Sequence, residues 1–372
     1  MSLLRRLKRA VQAAIRPEQA PPVLASAPTS ASITAEDQQK LRLLLSLVND
    51  QSQPNVNALN EVVRGMTAVN LNIKARGYEL ARELASALPA NRQTTARRVG
   101  LASKPSTQAD LESDWVAHWC GQLQIPVVYH RKIWELCYAL QAMHENGHMI
   151  PGAKGLGFGC GTEPIPSYLT ARGVAVTVTD QLPEDAEAQG WAQSNQHTAT
   201  LDQVHNPALV SREQFDRLAS LRYVDMNAIP DDLRGYDFCW SICALEHLGS
   251  IEKGLAFIKN SLKTLRPGGL AIHTTEFNIN SQGPTIDNWP TVLFQRQHFE
   301  RLAQELGSHG HYVAPLDFDV GQKPLDRFID MPPWTDQLPL EMSACIGDPL
   351  HLKLSVDGFI CTCFGVVIRK AV

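Results

Sequence analysis

The stretch Gly155-Leu156-Gly157-Phe158-Gly159-Cys160-Gly161-Thr162-Glu163 carries glycine at alternate positions. Glycines after a strand let the chain turn tightly and let a ligand approach without a Cβ in the way. The helix that follows offers unsatisfied N–H groups to a polar or anionic ligand. Asp180 ends the β-branched run VAVTVTD downstream, and a carboxylate there in a nucleotide-binding α/β fold accepts hydrogen bonds from ribose hydroxyls. Two further segments carry titratable groups, Glu246-His247 and the run from His273 to Glu276. An imidazole titrates near neutrality, so His247 is the first candidate for a general base. The bland alternative is a histidine that only hydrogen-bonds backbone. Glu276 is the second candidate, as base or as acceptor for a substrate hydroxyl. Alternation along a strand sends Glu276 and His273 to opposite faces, so they are not expected to act as a pair. Asp225, His247 and Glu276 could together hold a divalent ion, but nothing in their spacing demands one and no metal is expected.

These residues need a frame. Beyond Pro151 strands and helices alternate: GLGFG, the helix PIPSYLTARG, VAVTVTD, a strand reaching Tyr223-Val224-Asp225-Met226-Asn227, then YDFCWSICAL. The amphipathic IEKGLAFIKNSLKTLRPGG, closed by Pro267-Gly268-Gly269, leads into GGLAIHTTEFN. HYVAPLDFDV and FICTCFGVVIRK read as later strands, with a proline-rich insertion over 321–350 that could cover a site. The alternation predicts an α/β fold with a doubly wound, mostly parallel sheet and helices on both faces. Ligands in such sheets bind beyond the carboxyl ends of the strands, where the candidate groups fall.

Glycine loop, DFCWSICALEHLG, LRPGG and HTTEFN together resemble the class I S-adenosylmethionine-dependent methyltransferase superfamily, over about Gly155 to Phe277. Within it, GFGCGTEPIP and HTTEFN resemble a bacterial subgroup associated with carbohydrate or surface-glycan biosynthesis. The resemblance implies a seven-stranded Rossmann-like methyltransferase sheet, S-adenosylmethionine as cofactor and O-methylation of a sugar or glycan intermediate. It implies that Gly157, Gly159 and Gly161 line the cofactor loop, with Gly159 and Gly161 facing the methionine part. Asp180 would take the ribose, Asp225 and Met226 would flank the adenine, and Ser241 would lie near the sulfonium. Two departures stand out: the acid often found two residues before the central glycine is Gly157, and the last glycine is replaced by Glu163. Glu163 either makes up for the missing acid or is an ordinary helix N-terminal charge. Alternatives are methylation of a nitrogen or of an unrelated small molecule, a non-catalytic scaffold, and a nicotinamide dehydrogenase, against which LRPGG weighs.

The rest of the chain bounds the reading. A net charge of −4 over 372 residues gives no chain-wide pull toward nucleic acid. The eight cysteines form no CxxC and read as reduced core thiols of a cytoplasmic protein. Residues 1–16 pattern as a basic amphipathic helix suited to a membrane surface or a protein partner. With the Pro/Ala/Ser-rich linker they form a segment 1–35, followed by a helical region 36–150 and the methyltransferase-like domain 151–372. Trp115, Trp119 and Trp134 read as helix-packing aromatics, and His130-Arg131-Lys132 as a solvated or packing feature that could contact an anionic acceptor.

Overall fold

β-Branched and apolar runs set the strands, as expected for chains buried on both faces. In the computed structural model five of them are parallel: β3 (Lys154–Phe158), β4 (Ala175–Asp180), β5 (Ala219–Tyr223), β6 (Tyr236–Ile242) and β7 (Leu265–Asn278). β11 (Phe359–Arg369) runs antiparallel along β7 from Cys361 opposite Asn278 to Arg369 opposite Leu270. Its outer edge is shared by three short pieces, β10 (Leu354–Val356), β1 (Lys104–Pro105) and β8 (Tyr312–Val313). The path through the sheet is β1-β11-β7-β6-β3-β4-β5. A separate parallel pair joins β2 (Tyr129–His130) to β9 (Leu350–His351).

The structure describes residues 34–46, 53, 56–88, 95–184, 197–334 and 350–372. The basic segment 1–16, most of the linker to residue 35 and residues 335–349 of the proline-rich insertion lie outside the described residues. None of the helices described is long and apolar enough to cross a membrane.

The chain divides into two compact units, Met1–Ile73 and Lys74–Val372. In the first, the apolar Val63, Met66, Val69 and Ile73 stand exposed. In the second, helices cover both faces of the sheet. Asp114–Leu123, Arg131–Glu145, Ile165–Ala171 and Arg212–Leu218 close one core around Trp119, Trp134, Tyr138, Phe215 and Trp240. Ile251–Ser261 and Arg296–Ser308 close the other around Phe158, Phe257, Phe299 and Phe364. Segment 95–150 thus shares its core with the sheet; Trp119 and Trp134 are fully buried, their indole N–H groups donating to Gln141 and Asp110.

Three boundaries differ from the sequence expectation. The helix before LRPGG ends at Ser261, and Leu265–Asn278 is one strand with an irregularity opposite Tyr236/Phe238. Gly268 there has φ +74°, and a Cβ on Gly269 would stand 3.1 Å from the Asp237 carbonyl, so the glycines make a bulge. The strand expected from His311 shrinks to Tyr312–Val313, since Pro315 follows and has no N–H for a ladder. β5 stops at Tyr223, and Val224–Asn227 leave the sheet as a turn.

Candidate active site

β4 lies on one side of β3 and β6 on the other, so successive crossovers diverge at the carboxyl end of β3. A crevice opens at such a switch point. Here it is a cavity of about 1180 Å³, lined by the glycine turn after β3, the ends of β4 and β5, the ends of β6 and β7, the start of the Arg131 helix and the β2–β9 pair.

The end nearest β4 is built from backbone. Gly159 and Gly161 have φ of +58° and +51°, a region that L side chains enter only with strain. A Cβ on Gly159 would come within 2.8 Å of the Ala244 Cβ and 3.5 Å of the Met226 sulfur, so the turn leaves a cradle that only glycine keeps open. The Asp180 carboxylate accepts from the amides of Gly161 (3.0 Å), Gln181 (2.9 Å) and Thr198 (3.1 Å). It therefore pins the glycine turn to the end of β4. Burial nevertheless holds its pKa above the usual aspartate value, with those amides pulling the other way. Asp225 and Met226 line the same end, with the Asp225 carboxylate accepting from the Asn227 amide at 2.8 Å.

Glu163 also lines the cavity, where the Trp240 indole N–H donates to its Oε1. Burial pushes its carboxyl up to about 8, against the pull of the Trp240 bond and of Lys132. Two of the expected loop and strand residues stand elsewhere. Gly157 is walled in by Cys160 and by the Trp240 ring, 2.6 Å from where its Cβ would be, and does not line the cavity. Ser241 turns to the opposite face of β6, where its hydroxyl meets His273 Nδ1 at 2.8 Å, away from the cavity. His273 is buried with Ser261 on its other nitrogen at 3.0 Å, and burial drops its pKa to about 3. It is a neutral core histidine on the face opposite Glu276.

The other end is built from charged side chains. Arg131 and Lys132 begin a helix capped by the His130 ring, whose Nδ1 accepts from the Lys132 amide at 3.0 Å. Two cations there oppose the helix dipole, and carboxylates from elsewhere offset them. Arg131 reaches Glu276 Oε1 on β7 at 2.6 Å and Glu135 Oε1 at 3.4 Å. Its guanidinium also stands 3.2 Å from the Cys243 sulfur. The Cys243 thiol donates to Glu135 Oε2 at 2.7 Å, and its backbone has φ +45°. Cys243 is thus part of a polar cluster, unlike the small hydrophobe its apolar run suggests. Glu246 takes the Thr275 hydroxyl on Oε2 at 3.0 Å. Three buried atoms of this cluster have no hydrogen-bond partner among the described residues: Arg131 Nε, Glu246 Oε1 and Glu276 Oε2. Burial raises the pKa of both Glu246 and Glu276 above the ordinary glutamate value, partly countered by Lys132 and Arg131. Ligand atoms of Cys243, Glu246 and Glu276 lie within 4.8 Å of one another, a spacing a metal ion could use. The Arg131 guanidinium already supplies positive charge beside two of them.

His247 lines the cavity beside Glu246. Its Nδ1 meets the Pro290 carbonyl at 3.0 Å and Thr291 Oγ1 at 3.2 Å, and Nε2 lies 3.9 Å from Glu246 Oε1. Burial lowers its pKa to about 4, so the ring is neutral at neutral pH. Of the residues singled out by sequence, the cavity brings together Gly159, Gly161, Glu163, Asp180, Asp225, Met226, His247 and Glu276. Sequence reasoning gave Arg131 only as a solvated or packing residue that could contact an anion; it missed the clustering of Glu135 and Cys243 with it, and also His351, whose Nδ1 meets the buried Asp330 at 2.7 Å in the cavity wall. The i,i+4 spacing of Arg131 and Glu135 was the one available signal.

The sheet, with an antiparallel strand set beside the last parallel one, is Rossmann-like. No family model matches the sequence, and no curated protein matches it. Solved structures similar to it include one described as a sarcosine dimethylglycine methyltransferase from Galdieria sulphuraria, at 14% identity and a TM-score of 0.39, covering 70% of this chain and 99% of that one. The [4+2]-cyclase SpnF is similar at 15% identity and a TM-score of 0.40, covering 73% of this chain and 100% of that one. The N-terminal domain of EvdMO1, solved with SAH and D-fucose, is similar at 13% identity and a TM-score of 0.34, covering 63% of this chain and 82% of that one. Likeness of this degree carries nothing about what this chain binds.

Proposed function

We propose that this chain is an S-adenosylmethionine-dependent methyltransferase whose acceptor is a hydroxyl of a sugar or glycan intermediate. The observation that carries the reading is one cavity at the switch point with a backbone-lined cradle at one end and three unpartnered buried polar atoms at the other.

The cradle fits the cofactor: Gly159 keeps open a space that a Cβ would fill, Gly161 and Asp180 shape the turn, and Asp225 and Met226 stand at the β5 end. When bound there, S-adenosylmethionine supplies an already activated methyl group, so little covalent help is needed from the protein. What remains is alignment, exclusion of water and removal of the acceptor's proton. A hydroxyl both donates and accepts, which suits two orphaned carboxylate oxygens and one orphaned guanidinium N–H. Arg131 holds Glu276 by Oε1, leaving Oε2 for the acceptor, and burial makes this carboxylate a stronger base than an ordinary glutamate. These features support Glu276 over His247 as the base. Burial that lowers its pKa to about 4, despite the Pro290 carbonyl on Nδ1, makes His247 a weak base, suited to orienting a hydroxyl.

Calorimetry of S-adenosylmethionine and S-adenosylhomocysteine on the intact chain and on Asp180→Ala tests the reading. The expected result is binding at about micromolar strength, about −8 kcal/mol, that Asp180→Ala removes. No binding of either ligand to the intact chain would overturn it.

A further inference from the structure

The turn after β3 has no acid at Gly157, and it has no room for one. A side chain there would run into Cys160 and the Trp240 ring. The same two groups instead hold a carboxyl from the other side of the turn. Trp240 donates its indole N–H to Glu163 Oε1, and the Cys160 thiol hydrogen-bonds to Glu163 as well. Both partners are neutral, and no ion pair with Glu163 is present among the described residues. Around it stand Cys160 from the turn, Trp240 from β6, Asp180 from β4 and Lys132 from the Arg131 helix. A largely buried carboxyl hydrogen-bonded only to neutral donors, with Lys132 near it but not in contact, is a poor structural element, because its charged form has no direct ion-pair partner. Facing a cavity, it is a receptor for a cation that arrives with a ligand.

We propose that Glu163 receives the cationic amino group of the cofactor's amino-acid end, replacing from the far side of the turn the acid that Gly157 cannot supply. The inference rests on the cofactor reading above. It has a consequence in protons. Since burial brings the unliganded carboxyl to about 8, Glu163 carries a proton at neutral pH. The incoming ammonium N–H bonds to the carboxylate oxygen, and the displaced proton leaves for solvent. Ligand affinity should therefore rise with pH up to about 8 and then level.

The test is calorimetry of S-adenosylhomocysteine on the full chain at about pH 6.5, in two buffers of different ionisation heat, which counts protons released. Wild type should release close to one proton. Glu163→Gln, which keeps the size and an acceptor for Trp240, should release close to none and bind about tenfold or more weakly. An unchanged proton count in Glu163→Gln overturns the proposal and leaves the cofactor reading standing. So does a wild-type affinity that stays flat between about pH 6 and 8, a measurement that needs no variant. Failure of wild type to bind at any pH would instead bring down the cofactor reading itself.

Discussion

The two ends of the cavity are made from different materials. At the β4 end, the wall is backbone: glycines with positive φ and amides gathered on Asp180. At the β6–β7 end, it is side chains: Arg131, Glu135, Cys243, Glu246 and Glu276 form one buried ionic cluster. The first end is nearly complete without a ligand, its hydrogen bonds closed within the protein. The second leaves three polar atoms unpaired. Leaving buried polar atoms unmatched costs stability, which natural chains tolerate where a partner comes from outside. The difference suits a fixed seat for a cofactor at one end and a receptive surface for an acceptor at the other.

The sharpest way to break the comparison is Arg131→Met. If the β6–β7 end is a buried ion network, the change strands Glu276 and Glu135 and should lower unfolding free energy in urea by about 3–5 kcal/mol. A loss under about 1 kcal/mol would mean the cluster behaves as surface charge. Asp180→Ala tests the other end, releasing three backbone amides. It should cost roughly 2 kcal/mol, with faster hydrogen exchange at Gly161 and Thr198 and none of the change near Glu276. Gly159→Ala should cost about 1–2 kcal/mol through its positive φ and the close Ala244 Cβ, with reduced S-adenosylhomocysteine affinity in calorimetry.

The smallest effect belongs to His247, whose pKa falls on folding from its ordinary value to about 4. The folded state therefore favours the neutral ring. That contribution is complete above the unfolded value and drains away as pH falls toward about 4. His247→Gln should flatten the acid side of the stability curve by about 1 kcal/mol near pH 5.5, with no effect above about pH 7.5. An unaltered acid limb would place the ring in water instead of in the cavity wall.

Legibility in the sequence follows the same division. The glycine turn, Asp180 and the strand ends at Asp225 and Met226 are local: the residues that form the cradle are the ones that turn the chain. Gly157 and Ser241 show where local reading stops. Their positions in the motif pointed to the cavity, but the pleat sends Ser241 toward His273 and the Trp240 ring closes over Gly157. The charged end was half legible, since Glu276 and His247 sit at strand ends. The environment of His247 was not: burial lowers its pKa against the opposing pull of the Pro290 carbonyl, which lies 43 residues away.

By itself the sequence determined the order of strands and helices, the parallel sheet with its crevice beyond the strand ends, and a glycine turn followed by a carboxylate at the end of the next strand. Periodicity and backbone sterics act between near neighbours, so these can be read along the chain. Tertiary structure alone decided which charges meet. Glu135 and Thr274, hydrogen-bonded in the cluster, are 139 residues apart, and the outer edge of β11 takes β1 and β8 from distant parts of the chain beside its hairpin partner β10. The pKa shifts and the orphaned oxygens follow from desolvation and from partners brought together in space, and neither is fixed until the chain has folded.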